Sequence, residues 1–101
     1  MSQELKTENF DQTIRQGNDL LIFFYRENNA ESTLTMASLK EIDGMIGRDF
    51  NIYCVNADNE PEICKACSVK SIPEVISIIN TKIYKRAAGV LKSNEILGLI
   101  C

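Results

Sequence analysis

The segment Leu20–Tyr25, LLIFFY, constrains the fold more than any other part of the chain. It is apolar throughout, with Asn18 and Asp19 before it and Arg26 and Glu27 after it. An amphipathic helix or a half-exposed strand would interleave polar residues, so the run is a strand buried on both faces, as at the centre of a parallel sheet. Such a strand needs cover above and below, and the flanking sequence supplies it. Thr7 or Glu8 opens a helix over Glu8–Gln16, with Phe10 and Ile14 on one face and Gly17 placed to stop it. Between Asn28 and Gly47 the residues Leu34, Leu39, Ile42 and Ile46 recur at helical spacing, beginning near Ser32 or Thr33, with Glu41 and Asp43 on the wet face.

Phe50–Val55 (FNIYCV) reads as a second strand, and Asn59-Glu60-Pro61 signals the start of a short helix through Cys67. Val75–Ile79 and Lys82–Ala87 are two strand-like runs joined by Asn80-Thr81, short enough for an antiparallel hairpin that Gly89 ends. Ser93 then caps a final helix running to Cys101, with Ile96, Leu97 and Ile100 as its buried stripe. The short polar segment before Thr7 leaves a further edge strand open. The order implies one α/β domain over residues 1–101: a central mixed β-sheet flanked by helices on both faces, finishing in a β-hairpin plus helix.

With 101 residues, 45% of them hydrophobic and 25% charged, the chain has the composition of a globular domain that folds around one core. A net charge of −3, with Lys and Arg scattered along the sequence, gives no footprint for nucleic acid. No apolar run reaches the length of a membrane span, and Met1–Phe10 lacks the pattern of a signal peptide, so a soluble cytoplasmic protein is expected. Four cysteines are too few for a secreted disulfide framework and are expected to be reduced. Histidine is absent, which removes the commonest general base, the Cys-His and Ser-His nucleophile pairs and most catalytic zinc sites. No cofactor or metal is called for.

Several separated anchors resemble the thioredoxin family over nearly the full chain. Phe24-Tyr25-Arg26-Glu27 lies where that family has Phe-Trp/Tyr-Ala-Glu. Val55-Asn56-Ala57-Asp58 followed by Pro61 is similar to its Val-Asp-Asn-Pro stretch, and Val69-Lys70-Ser71-Ile72-Pro73 to its Val-Arg-Ser-Ile-Pro-Thr. The resemblance puts the cis-proline at Pro73 and a family glycine at Gly89. It also lays the family's Trp-Cys-Gly-Pro-Cys turn on Asn28, Asn29, Ala30, Glu31 and Ser32. The attacking and resolving cysteines of thioredoxins therefore fall on Asn29 and Ser32, neither of which can exchange with a disulfide. The family's buried acid falls on Phe23, and the lysine beside it on Cys54. Ser32 as a hydrolytic nucleophile lacks a base, and helix capping is its simpler role, with Asn29 as a competing cap.

Cys64-Lys65-Ala66-Cys67 is a C-x-x-C in the wrong place, within or at the end of the third helix, where the dipole raises a thiol pKa. Two helix residues three apart hold their Cβ atoms ~5–6 Å apart, wider than the ~3.5–4.5 Å of a disulfide. A closed zinc site would also need Cys54 and Cys101, and the resemblance implies that the third and last helices lie on opposite faces of the sheet. Cys54 alternates with Phe50 and Ile52 as a core residue.

Two function classes follow. One is a redox-inactive binding or adaptor module for a protein or extended peptide, using the rim that the resemblance places at Asn28, Ala57, Ile72, Pro73, Gly89 and Val90. The other is an atypical thiol-disulfide oxidoreductase or redox sensor using Cys64 and Cys67.

Overall fold

The computed structural model describes residues 3–46 and 50–100. Its elements are β1 (Gln3–Glu4), α1 (Thr7–Arg15), β2 (Leu20–Tyr25), α2 (Ala30–Ile46), β3 (Asn51–Asn56), α3 (Pro61–Ala66), β4 (Glu74–Ile79), β5 (Lys82–Ala88) and α4 (Ser93–Leu97). The sheet order is β1-β3-β2-β4-β5. β3 runs parallel to both β1 and β2, whereas β2 with β4 and β4 with β5 are antiparallel. The fold is thus α/β with a mixed central sheet, and the edge strand left open before Thr7 exists as β1.

The LLIFFY run is central as its composition requires, and Leu20 through Phe24 are each at most 1% exposed. Strand alternation splits its side chains between two cores. Leu21 and Phe23 pack with Ile52, Cys54 and Val75 under Leu39, Ile42 and Ile46 of α2 and Ile96 of α4. Leu20, Ile22 and Phe24 pack with Val55, Ile76 and Ile78 under Phe10 and Ile14 of α1 and Ile63 of α3. Helices therefore cover both faces. None among the described residues is long and apolar enough to cross a membrane.

Four local readings are corrected. α2 begins at Ala30, ahead of Ser32 and Thr33, because Asn29 is the cap: its Oδ1 accepts the Ser32 N–H at 2.8 Å. Leu34 does not belong to the buried stripe and is 57% exposed. At about 100° per residue, the buried arc passes through Ser32, Thr35, Leu39, Ile42 and Ile46, and Thr35 holds a core position because its hydroxyl serves the loop after β5. Ser93 does not cap α4 but is its first residue, donating its Oγ–H to the Ser38 carbonyl of α2 at 3.3 Å. The entry to α4 is instead tied by the Lys92 N–H to Glu95 Oε1 at 2.9 Å. α4 ends at Leu97, short of the expected run to Cys101: Ile96 is its buried residue and Leu97 is half-buried, while Leu99 (buried) and Ile100 (half-buried) follow the helix; Cys101 lies outside the described residues.

The β4–β5 hairpin turns on Asn80 and Thr81, both left-handed at φ 53° and 67°, the pair of positive angles that a two-residue turn with matching twist requires. Ser77 pairs with Lys85 and Ile78 with Ile83, which leaves Tyr84 as the extra residue of a bulge. The Ser77 hydroxyl repairs the ladder there, accepting the Lys85 N–H at 3.1 Å and donating to the Lys85 carbonyl at 3.3 Å.

Candidate functional site

The C-terminal ends of β2 and β3 and the N-terminal end of α2 meet at one edge of the molecule. After Tyr25 the chain leaves β2 through Arg26 and Glu27, turns at Asn28, whose φ is 55°, and enters α2. Every hydrogen bond at this junction fixes the turn. Asn29 caps α2, and its carbonyl accepts the Thr33 N–H at 3.0 Å. The Ser32 Oγ, on a residue 3% exposed, accepts the Arg26 N–H at 3.1 Å and so clamps the helix back onto the strand it follows. Glu27 accepts from Asn56 Nδ2 at 3.2 Å, and Arg26 Nε meets Asp58 Oδ1 at 3.1 Å, which ties the turn to the end of β3. Tyr25 donates its hydroxyl to Glu4 at 3.0 Å, and burial together with the Glu4 carboxylate pushes its pKa up to about 12. No residue from Arg26 to Thr33 is a cysteine, and Ser32 has no histidine anywhere in the chain to serve as its base.

Of the six residues expected at the rim, four are brought together in pairs. Ala57 and Ile72 line a shallow pocket of about 190 Å³ with Arg26, Cys64 and Val69. The Ile72–Pro73 peptide is cis, and the Pro73 carbonyl accepts the Gly89 N–H at 2.9 Å. Gly89 has φ 95°, and the loop it forms is anchored by Thr35, whose hydroxyl donates to the Gly89 carbonyl at 3.4 Å and accepts the Leu91 N–H at 3.2 Å. Val90, 45% exposed, stands out from that anchored loop. Asn28 opens instead onto a separate cleft of about 480 Å³ floored by Phe23, Tyr25 and Met36. Phe23 and Tyr25 stack there at 5.8 Å between ring centroids.

The three cysteines among the described residues occupy three environments. Cys54 is 1% exposed in the core under α2 and α4. Cys64 sits half-buried in the last turn of α3 and faces the pocket of Ala57 and Ile72. Cys67 is not within α3 but at its C-cap, 3% exposed, and lines a different cleft with Phe10, Ile14 and Ile83. None of the three is joined in a disulfide. Burial raises the Cys64 pKa although Arg26 opposes it, and burial pushes Cys67 up to about 11. Cys54 and Cys67 belong to opposite faces of the sheet. Among the described residues, no three His, Cys, Asp or Glu side chains gather as metal ligands.

A thioredoxin family model matches residues 1–100. The chain belongs to the thioredoxin family. Its fold is shared with a chain from the structure that describes how the thiol of yeast mitochondrial 1-Cys peroxiredoxin is resolved via the glutathione/thioredoxin systems. That match has a TM-score of 0.87 at 20% identity, covering 98% of this chain and 93% of that one. Chloroplastic thioredoxin z matches with a TM-score of 0.83 at 14% identity, over 98% of this chain and 90% of the other. At these identities the likeness is one of fold. No curated protein sequence matches significantly.

The thioredoxin-family scaffold here carries one buried charge that sequence reading missed. Glu74, directly after Pro73, is 4% exposed; its carboxylate is paired with Arg86 Nη1 at 3.2 Å. The same guanidinium donates to the Ser68 carbonyl at 3.1 Å and to that of Cys67, so β5 clamps both the start of β4 and the C-terminal end of α3. Burial raises the Glu74 pKa in spite of Arg86. Nothing in the spacing of the two residues announces the pair, because the topology alone brings them face to face.

Proposed function

We propose that this thioredoxin-family protein has given up dithiol exchange at the start of α2 and serves as a binding or adaptor module for a protein or an extended peptide. The observation that carries the reading is the use of Asn29 and Ser32: the first is the helix cap and the second the clamp to Arg26, both occupied in holding the turn. Structural bonds of this kind take the place of chemistry in a family whose activity needs a low-pKa thiol and a resolving thiol at those positions. Phe23 at the family's buried-acid position, stacked on Tyr25, supports the same reading, since an aromatic ring cannot move protons. The rim is Ala57, Ile72, Pro73, Gly89 and Val90, flanked by Asn28, and a strand would be held there by main-chain bonds and one side chain in the pocket of Ala57 and Ile72. Cys54, Cys64 and Cys67 outside any disulfide fit a reducing compartment, the cytoplasm.

The competing reading, exchange by Cys64 and Cys67, has in its favour that Cys64 faces that pocket. Against it stand two thiols that open to different clefts and whose pKa values are raised by burial. The test is selection of displayed peptides on the chain, followed by amide-shift mapping of the winners. Binding that moves Ala57, Ile72, Gly89 and Val90, and that Ile72→Lys abolishes, supports the proposal. Selected peptides that leave those four amides unmoved would sink it.

A further inference from the structure

The cleft of about 480 Å³ onto which Asn28 opens runs along one flank of α2. Helical spacing builds its wall: Ser32, Met36 and Lys40 follow one another at four-residue steps, with Thr33 and Ala37 beside them. The floor of Phe23, Tyr25 and Met36 is apolar, since the Tyr25 hydroxyl is turned away to Glu4. The charges stand at the two ends. Arg26 and Glu27 lie at the turn that leads into α2, and Lys40 lies eight residues beyond Ser32, ~12 Å along the helix at 1.5 Å per residue. Arg26 is matched by Asp58 at 3.1 Å. Glu27 gives Oε1 to the neutral Asn56 amide, which leaves its charge uncancelled. Lys40 is exposed and enters no ion pair or hydrogen bond among the described residues. The cleft therefore has a negative end, an apolar middle and a positive end.

We infer that this cleft binds a free short peptide as a zwitterion, with its ammonium group at Glu27, its carboxylate at Lys40 and an apolar side chain between them on Phe23, Tyr25 and Met36. A ligand of one sign gains at one end and loses at the other, whereas a zwitterion gains at both. Span selects the length. Three extended residues reach ~10 Å, and the Lys40 side chain, leaning toward the helix N-terminus, closes the remainder. Ser32 adds a donor: its Oγ accepts the Arg26 N–H, and its own hydroxyl proton has no acceptor among the described residues and is left for a peptide carbonyl. An internal segment of a protein has neither terminus to offer and would leave both charges unmatched. The cleft is also separate from the rim, where Ala57 and Ile72 line a different pocket.

The test is amide-shift titration of the full chain with unblocked Ala-Phe-Ala, beside its N-acetylated, C-amidated and doubly blocked forms. The expected result is shifts at Glu27, Met36, Ala37 and Lys40, with Ile72 and Gly89 unmoved. Each block removes one exposed charge pair and should weaken binding roughly threefold, and both together roughly tenfold. Lys40→Glu should weaken the unblocked peptide roughly tenfold and leave the C-amidated one unweakened. Glu27→Gln, which keeps an acceptor for Asn56, should weaken the unblocked peptide and leave the N-acetylated one unchanged. That cross-over between variant and blocked end is something misfolding cannot mimic. No shift along this flank of α2, equal binding of the doubly blocked form, or equal losses of unblocked and blocked peptides in the variants would each overturn the inference. Failure here leaves the rim proposal standing, because the two sites are read by different amides.

Discussion

The start of α2 and the end of α3 divide between them what a thiol-disulfide site requires. The start of α2 has the place: a helix N-terminus whose dipole favours an anion, beside the cis Ile72–Pro73 loop's end of the sheet. It holds Asn29 and Ser32, which close the turn. The end of α3 has the sulfur, Cys64 and Cys67, at the pole of a helix that disfavours a thiolate and in surroundings that bury it. Reactivity belongs to residue and location jointly, and here they are parted.

The largest expected effect lies at the end of α3. Arg86→Ala leaves Glu74 buried and unpaired and frees the Cys67 and Ser68 carbonyls. Breaking a buried pair costs ~3–5 kcal/mol; about 2–3 kcal/mol is expected here because the Arg86 side chain is 35% exposed. Denaturant unfolding checks this, and a cost as small as that of a surface substitution would mean that the clamp is idle. Next, Asn29→Cys with Ser32→Cys restores thiols to the favourable place. Alkylation near neutral pH should then be at least roughly tenfold faster at position 29 than at Cys64, with Cys54 and Cys67 reacting only on unfolding. Equal rates at 29 and 64 would erase the distinction between the two regions.

A smaller effect separates the roles of the two junction residues. Asn29→Ala should cost about 1 kcal/mol through loss of the cap, whereas Asn29→Asp should hold or slightly raise stability, since it keeps the acceptor and adds charge at the N-terminus. The smallest effect is alkaline. Tyr25 keeps its proton to about pH 12 when folded and to about 10 when unfolded, so its contribution is complete below pH 10 and is lost as pH rises toward 12. Tyr25→Phe should remove that part of the alkaline loss, read from unfolding curves across the window.

The strands and the two-faced cover were legible because LLIFFY and FNIYCV alternate with helical spacing and with Pro and Gly punctuation. The errors fell where a polar side chain does tertiary work. Thr35 took a core position from Leu34 because the Gly89 loop needs a donor and an acceptor, and Ser93 left its capping role to reach Ser38. At the candidate site the residue types were readable and their partners were not. Asn29 and Ser32 stood out as departures from a family pattern, but the Arg26 clamp depends on how β2 feeds α2.

The most direct test of the central claim is the rate at which the purified chain accelerates reduction of a protein disulfide by a small dithiol, run beside Cys64→Ser and Cys67→Ser variants. The account predicts a rate no greater than that of the dithiol alone for all three proteins. Acceleration by the unaltered chain that disappears in both variants would contradict it and move the chemistry to the end of α3.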